Sequence, residues 1–363
     1  MSSSTPFDAK ARARVALQTF EPYDPAFTPS RINLSANENT YPPPEDYRRA
    51  LLDAMTSTPL NRYPDPMANE LRDAIAARHG VERGAIIVGN GGDELLFNLL
   101  FTFCGTGKRL VSCPPDFSEY ALFAQMNEVP YEGVWRRQDD YSLDVEALLE
   151  AAHDAALVIL TSPNNPTGGI VDHAVIRRLL DETDSLVLVD EAYVEFAPEG
   201  TSVVPWVADN PRLMVLRTLS KAFGLAGLRC GYLVAAPEVV DMLGAIRQIY
   251  SVDVLAQAVA EAAVRNRELL APTIAQIVSE RERLALGLSR IEGVTVWPSA
   301  ANFMLVRMPD AACVRAHLRD EHSILVRDFS AAPGLDGCLR ITVGTPEEND
   351  CVVSALTTLL EGK

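Results

Sequence analysis

Cysteine and long apolar segments are both scarce in this sequence. Its 363 residues include six cysteines, which form no CxxC pair and show no Cys/His spacing typical of a metal site. A chain of this size needs no disulfides to fold, so we expect six reduced thiols and a cytoplasmic protein. The stretch MSSSTPFDAKARAR lacks the apolar core of an export signal, and no run of about 18 apolar residues occurs. We therefore predict neither secretion nor a membrane-spanning helix.

Positive charge is also in short supply. The chain has 32 Lys and Arg against 49 Asp and Glu, a formal net charge of -17. That sign disfavours proteins whose affinity comes from neutralising nucleic-acid phosphates or anionic lipid, so we predict neither nucleic acid nor membrane as a partner. An anionic small molecule would need a local cluster of arginines. Core material, by contrast, is ample, since 48% of the residues are hydrophobic.

The order of apolar and amphipathic segments predicts two domains behind an N-terminal arm, an α/β architecture. Residues 1–40, rich in Pro, Ser and Asn, predict the arm. In residues 41–255, short apolar runs alternate with amphipathic stretches, which predicts a large domain with a mostly parallel sheet between two layers of helices. Residues 256–363 predict an interdomain helix, part of a helical pattern from Val254 to about Arg290, and a smaller α+β domain. The predicted strands are AIIVG, RLVSC, ALVILTSP, SLVLVD, RLMVLRTLS and CGYLVAA in the large domain, and VTVWP, NFMLVRM, SILVRDF and CLRITVG in the small one.

Polar residues follow four of the strands predicted for the parallel sheet. They are Gly92 and Asp93 in GNGGDE, Asn165 in SPNNPTGG, Asp190 in LVLVDEAY, and Ser220 and Lys221 in RTLSKAF. In open parallel sheets, ligands bind beyond the carboxyl ends of the strands. We therefore expect one shared pocket.

Each of these clusters has a chemical and a structural interpretation. The Gly-rich turn before a helix suits a phosphate, or it is a plain turn in which glycine supplies positive φ. A buried Asp190 needs a cationic partner such as a protonated ring nitrogen, unless it caps a helix. Lys221 lies among apolar neighbours, which predicts a desolvated amine of lowered pKa able to form a Schiff base; the alternative is an exposed helical lysine. An amine for an aldehyde, a carboxylate for a ring nitrogen and a phosphate cradle are together what pyridoxal 5'-phosphate requires.

In its motifs the sequence resembles the fold type I pyridoxal-phosphate aminotransferases and, more narrowly, the histidinol-phosphate aminotransferase family. The resemblance runs nearly end to end. It rests on LSANEN, NRYPD, GNGGDE, CPPDFSEY, SPNNPTG, DEAYVEF, RTLSKAFGLAGLRCGY, ANFML, ILVRD and CLRITVGTPEEN, in that order. It implies transamination of L-histidinol phosphate with 2-oxoglutarate, giving imidazole acetol phosphate and glutamate in histidine biosynthesis.

The resemblance implies a role for each matching residue around the cofactor. Lys221 would form the Schiff base and shuttle a proton, and Asp190 would keep the pyridine nitrogen protonated. Tyr193 and Asn165 would hydrogen-bond the phenolic oxygen, and Phe117 would stack on the ring. The phosphate would lie against Gly92, Asp93, Ser220 and Arg229.

The substrate site and the subunit contact follow from the same resemblance. Arg327 and Arg340 would bind the anionic groups of histidinol phosphate and glutamate, with Tyr23 closing the site. The alternative for the two arginines is that they form structural ion pairs in the small domain. Asn302 has two interpretations, a substrate contact or a strand-end cap. Tyr63 would reach the phosphate of the neighbouring subunit's cofactor, which implies a homodimer with shared active sites. No metal is implied.

Three other functions stay open at this point. An aromatic amino-acid aminotransferase would place a carboxylate rather than a phosphate on Arg340. A threonine-phosphate decarboxylase is a more distant match. The third is a catalytically silent binding or regulatory protein, against which the retention of Lys221, Asp190 and Arg229 argues. Phe117, where the family commonly has tyrosine, and the loose match of IRQIYSVDVLAQA are departures that bear on substrate selectivity.

Overall fold

The computed structural model describes residues 7–20 and 29–361, so Tyr23 lies outside the described residues. Twelve strands and eleven α-helices form within these ranges. The strands are β1 (Ile32–Leu34), β2 (Ile86–Asn90), β3 (Arg109–Ser112), β4 (Tyr131–Gly133), β5 (Ala155–Thr161), β6 (Leu186–Asp190), β7 (Leu213–Thr218), β8 (Cys230–Val234), β9 (Thr295–Val296), β10 (Phe303–Arg307), β11 (Ile324–Asp328) and β12 (Cys338–Thr342). The helices are α1 (Glu45–Ser57), α2 (Asn69–His79), α3 (Gly91–Phe103), α4 (Glu119–Met126), α5 (Val145–Ala152), α6 (His173–Glu182), α7 (Pro237–Ile246), α8 (Val254–Arg265), α9 (Ala271–Leu288), α10 (Ala311–His322) and α11 (Pro346–Glu361).

The larger sheet has seven strands in the order β2-β8-β7-β6-β5-β3-β4. Six of them run in one direction, and β8 is antiparallel to both of its neighbours. Successive side chains of β5 enter two different cores: Val158 and Leu160 pack with α5, α6 and α8, whereas Leu157 and Ile159 pack with α3, α4 and α7. Both faces are therefore covered by helices, which confirms the predicted α/β class and the mostly parallel sheet.

The smaller sheet has five strands in the order β1-β11-β12-β10-β9. Its core lies against α9, α10 and α11. The strand β1 comes from the segment predicted as an arm and pairs in parallel with β11. The N-terminal segment is therefore part of the small domain's sheet before it enters the large domain, a pairing that the sequence pattern does not predict.

The helical pattern predicted from Val254 to about Arg290 is interrupted. A 3-10 turn, Arg267–Leu270, separates α8 from α9. Helix α8 packs in the large-domain core, and Leu270 is the last residue of that core, whereas Ile277 of α9 already belongs to the small-domain core. We therefore propose a domain boundary near residue 270 rather than at 255. None of the helices in the described ranges is long and apolar enough to cross a membrane.

Candidate active site

A cleft of about 410 Å³ opens at the carboxyl edge of the large sheet, a size typical of small-molecule sites. It is bordered by the segments that follow β2, β5, β6 and β7. Among the residues predicted from the sequence, those that line it are Gly92, Asp93, Phe117, Asn165, Asp190, Tyr193, Ser220, Lys221 and Arg229. The fold thus brings the four strand-end clusters into one cavity.

Asp190, the last residue of β6, is a buried carboxylate at the base of this cleft, with 5% of its surface exposed. Its Oδ2 accepts a hydrogen bond of 2.7 Å from the hydroxyl of Tyr120, and its Oδ1 accepts one of 3.0 Å from the backbone N–H of Ala192. Burial raises the pKa of Asp190 to about 6, while these two hydrogen bonds act in the opposite direction. A carboxylate held in this way is suited to bind a cationic group of a ligand.

Lys221 supplies an amine just after the end of β7, the parallel neighbour of β6. The side chain is half-buried, and its Nζ donates a hydrogen bond of 3.0 Å to the carbonyl oxygen of Ala36. Nζ lies 5.8 Å from the centre of the Tyr193 ring. The hydroxyl of Tyr193 accepts a hydrogen bond of 3.0 Å from Nδ2 of Asn37. The amine and the phenol therefore line the same cavity, and both are held by residues of the N-terminal segment.

The start of α3 forms an anion cradle. Gly91 has φ +77°, a backbone conformation that strains any other residue, and a Cβ there would also lie 2.6 Å from Nη2 at the flexible end of Arg229. A Cβ on Gly231 of β8 would lie 2.8 Å from the backbone nitrogen of Gly92, so that glycine also lets the turn approach the sheet. Arg229 donates a hydrogen bond of 2.9 Å to Asp93. The N–H groups of the first turn and the positive end of the helix dipole thus face the cleft beside a guanidinium.

Two arginines of the small domain lie directly opposite each other. Arg327 on β11 and Arg340 on β12 are paired in register, and their guanidinium carbons lie 5.9 and 5.6 Å from the centre of the Phe329 ring. Arg340 is buried and donates hydrogen bonds to Oδ1 of Asn165 at 2.5 Å and to the carbonyl oxygen of Ser35 at 2.7 Å, whereas Arg327 is exposed. Guanidinium groups bind carboxylates and phosphates with two parallel hydrogen bonds, so neighbouring arginines of this kind are suited to an anionic ligand.

Neither of these arginines lines the cleft, and the predicted residues Asn302 and Tyr63 also lie outside its lining. Asn302 has 1% of its surface exposed, and its Nδ2 donates a hydrogen bond of 3.1 Å to the carbonyl oxygen of Asn37. This contact favours the strand-end interpretation over a direct substrate contact. Tyr63 is 82% exposed and stacks on Tyr250, with ring centres 4.7 Å apart. Its position on the surface leaves it available to another molecule rather than to its own chain's cleft.

Three residues that contact the predicted site were missed at the level of sequence. Tyr120 hydrogen-bonds both Asp190 and Thr161, Thr161 lines the cleft beside Asp190, and Asn37 hydrogen-bonds Tyr193. Tyr120 resembles an ordinary core residue, although its position three residues after Phe117 in the first turn of α4 is a usable signal. Asn37 has φ +55°, a conformation that Asn tolerates better than most residues. This backbone conformation is visible only in the fold.

A buried ion network lies beneath the loop that follows β6. Arg217 of β7 pairs with Glu191 at 2.8 Å and with Glu195 at 3.0 Å, and Glu195 also pairs with Arg78 at 3.1 Å. The neighbouring carboxylates raise the pKa of Arg217 above its usual value although burial opposes this. Because Glu191 directly follows Asp190, the network anchors the segment that carries Asp190 and Tyr193 of the cleft. Within the described ranges, no group of His, Cys, Asp and Glu side chains is arranged to hold a metal ion.

A family model described as "Aminotransferase class I and II" matches residues 29–356 of the chain. The chain belongs to this aminotransferase family. Among curated relatives, a histidinol-phosphate aminotransferase of Thermoanaerobacter pseudethanolicus is 37% identical, over 96% of this chain and 98% of its own length. One of Roseiflexus castenholzii is 40% identical over 90% of this chain and 88% of its own. Among solved structures, the histidinol-phosphate aminotransferase from Sinorhizobium meliloti in complex with pyridoxal-5'-phosphate aligns with a TM-score of 0.87 and 26% identity, covering 97% and 98% of the two chains. These similarities confirm the resemblance of this aminotransferase to the histidinol-phosphate aminotransferase family, which the sequence motifs predict.

Proposed function

We propose that this aminotransferase transfers the amino group of L-histidinol phosphate to 2-oxoglutarate, with pyridoxal 5'-phosphate as cofactor. The products are imidazole acetol phosphate and glutamate. The observation that carries the proposal is the hydrogen bond from Arg340, which faces Arg327 on the neighbouring strand, to Asn165 in the lining of a cleft that holds an amine and a buried carboxylate. Relatives named histidinol-phosphate aminotransferase, 37 to 40% identical over most of the chain, support the same substrate.

The described side chains fit this cofactor. The α3 cradle, in which a Cβ at position 91 would collide with Arg229, would take the phosphate together with Ser220. Asp190 would face the ring nitrogen, and Phe117 would offer its ring as a stacking surface. When bound, pyridoxal 5'-phosphate supplies an electron sink that weakens the C–H bond next to the substrate's amino group.

The side chains of the protein would hold the cofactor in place and move the protons of the reaction. Lys221 Nζ is the amine that would hold the cofactor's aldehyde and carry a proton between the two carbon atoms that exchange it. The carboxylate of Asp190 would hold the proton on the ring nitrogen. Because Tyr193 accepts its hydrogen bond from Asn37, its own hydroxyl proton can be donated into the cleft.

The arginine pair would serve both half-reactions. A guanidinium fork binds a phosphate or a carboxylate with two parallel hydrogen bonds, so one site can accept histidinol phosphate and then 2-oxoglutarate. Arg340 also donates a hydrogen bond to Asn165 of the cleft, which supports an anion site next to the reacting centre. In a chain of net charge -17, this cation pair gives the anionic substrate a local attractive field.

The experiment that tests the proposal follows single half-reactions by the change in cofactor absorbance. The enzyme is mixed with L-histidinol phosphate, phenylalanine, tyrosine or threonine phosphate, and the rate is measured at low substrate for each. We expect histidinol phosphate to react with the highest kcat/KM. Faster reaction of phenylalanine or tyrosine would instead assign the chain to the aromatic aminotransferases, and release of carbon dioxide from threonine phosphate would assign a decarboxylase.

The assembly proposed with this function is a homodimer in the cytoplasm. Tyr63 and Tyr250 form an exposed aromatic pair, and two apolar side chains near them in sequence, Leu60 and Ile249, are 70% and 73% exposed. Exposed apolar patches of this kind are typical of protein contacts. A second copy of the chain on this surface would bring Tyr63 to the cofactor phosphate of its neighbour, as the family resemblance implies.

A further inference from the structure

Three buried side chains from three elements form a chain of hydrogen bonds at the base of the cleft. Thr161 ends β5, Tyr120 lies in the first turn of α4, and Asp190 ends β6; they are 3%, 0% and 5% exposed. The Tyr120 hydroxyl lies 2.9 Å from Oγ1 of Thr161 and 2.7 Å from Oδ2 of Asp190. All three are thus removed from solvent and in direct contact.

The chemistry of the three groups sets the direction of these bonds. An ionised carboxylate only accepts hydrogen bonds, and a tyrosine hydroxyl has a single hydrogen to donate. Tyr120 therefore donates to Asp190, and the remaining contact requires Thr161 to donate to Tyr120. Burial and the nearby Asp190 carboxylate raise the pKa of Tyr120 well above its usual value, so it stays a donor throughout the working pH range.

The surroundings of Asp190 otherwise favour its neutral form. Burial is the largest influence, and the carboxylates of Asp93 at the start of α3 and of Glu191, the next residue, add to it. The hydrogen bonds from Tyr120 and from the backbone of Ala192 oppose them. The other charged side chains that line the same cleft are Glu38, Arg217, Lys221 and Arg229.

We propose that Tyr120 and Thr161 are positioning residues whose directed hydrogen bonds keep Asp190 a carboxylate, ready to hold the protonated ring nitrogen of the cofactor. The role toward the cofactor rests on the function proposed above, but the hydrogen-bond chain itself does not. Tyr120 also packs edge-on against Phe117, with ring centres 5.5 Å apart, so the same side chain supports the proposed stacking residue.

The first test uses the protein without cofactor. The pKa of Asp190 is measured by NMR of carboxyl-labelled aspartate, and the Asp190→Asn variant assigns the resonance. Loss of a hydrogen bond to a charged group in Tyr120→Phe should raise this pKa by about one unit. Thr161→Val should raise it by less, and Thr161→Ser, which keeps the hydroxyl, should restore the wild-type value. Because the Thr161 variants change little volume, they also test the proposal if Tyr120→Phe folds poorly.

The matched control is Tyr141→Phe. Tyr141 is likewise a buried tyrosine, and its hydroxyl donates to the carbonyl oxygen of Gly334 away from the cleft. This variant should leave the pKa of Asp190 unchanged. An unchanged pKa in both Tyr120→Phe and Thr161→Val would overturn the proposal.

The second test measures the affinity for pyridoxal 5'-phosphate against pH. If the empty site binds the cofactor with Asp190 ionised, an Asp190 pKa of about 6 raises the Kd about twofold when the pH falls from roughly 8 to 6. If the Asp190 pKa is one unit higher in Tyr120→Phe, the Kd rises about tenfold over the same pH range. The stronger pH dependence supports the link to the cofactor. A shifted Asp190 pKa with the wild-type pH dependence of binding would keep the hydrogen-bond chain and count against the cofactor role proposed for Asp190.

Discussion

At the scale of single residues, Lys221 carries the most specific consequence. We predict that Lys221→Ala loses the absorbance of lysine-bound cofactor and loses at least about 10²- to 10⁴-fold in kcat, because one amine provides both attachment and proton transfer. The spectrum and the turnover of histidinol phosphate are the measurements. Lys108→Ala, which changes an exposed lysine in a turn, is the matched control. Turnover close to wild type in Lys221→Ala would mean that another group performs the chemistry.

The residues of the site could be predicted from the sequence where a side chain is chemically unusual for its surroundings. A lysine among apolar neighbours and an aspartate at the end of a buried strand stand out without coordinates, and the fold places Lys221 and Asp190 in one cleft. The residues that hold them do not stand out. Tyr120 looks like any aromatic residue of a helix, and Asn37 like any loop asparagine. Their partners, Asp190 and Tyr193, lie 70 and 156 residues away, so the contacts exist only after folding.

At the scale of elements, we propose that the antiparallel pair of β11 and β12 carries the residues that select the substrate. We predict that Arg340→Ala lowers kcat/KM in both half-reactions by roughly ten- to a hundredfold, since losing a charge-assisted bidentate contact costs about 1.5 to 3 kcal/mol. Arg340→Lys should recover only part of the loss because an ammonium lacks the fork. The rates with histidinol phosphate and with glutamate are measured separately. Arg319→Ala, on α10 of the same domain and paired with the adjacent Asp320, is the control.

Full activity of Arg340→Ala toward histidinol phosphate would assign the phosphate to Arg327 instead. That outcome is informative because the two side chains face each other across one register position. A double variant would then separate a shared anion site from two independent ones, since contacts that act on one group are not additive.

The elements themselves were predictable where the pattern was long enough. All ten strands predicted from apolar runs are present, whereas β1 and β4, each of three residues, have no sequence signal of their own. The prediction of one helix after Val254 was wrong in one respect. The helical pattern of the sequence continues across Arg267–Leu270, but at this turn the chain passes from the large-domain core to the small-domain core. Pro272 then occupies the first turn of the next helix. Tertiary packing, not local propensity, decides this break.

At the scale of the whole molecule, the cleft is lined by the large domain and the N-terminal segment, and Arg340 of the small domain contacts its lining at Asn165. The segment pairs through β1 with the small sheet, and its next residues contact both domains. The carbonyl of Ser35 accepts from Arg340, 305 residues later, and that of Ala36 accepts from Lys221, 185 residues later. Composition and motif order predict two domains and a site, but they carry no information about contacts of this separation. The N-terminal segment is thus part of the active site rather than an appendage to it.

The assembly provides the last prediction. If Tyr63 acts on the cofactor of a second subunit, a Lys221→Ala homodimer and a Tyr63→Ala homodimer are each impaired, but a mixed dimer contains one complete site. We expect the two proteins to regain up to about a quarter of wild-type activity after subunits are exchanged at equal amounts, since half of the dimers are then mixed and each carries one of two sites. Activity is measured before and after exchange, and differently tagged subunits verify that mixed dimers have formed. Tyr131→Ala, which removes another exposed tyrosine, serves as the control for Tyr63→Ala and should keep its activity. If both parent variants are impaired, mixed dimers are verified and no activity returns, Tyr63 acts within its own chain and the shared site is wrong.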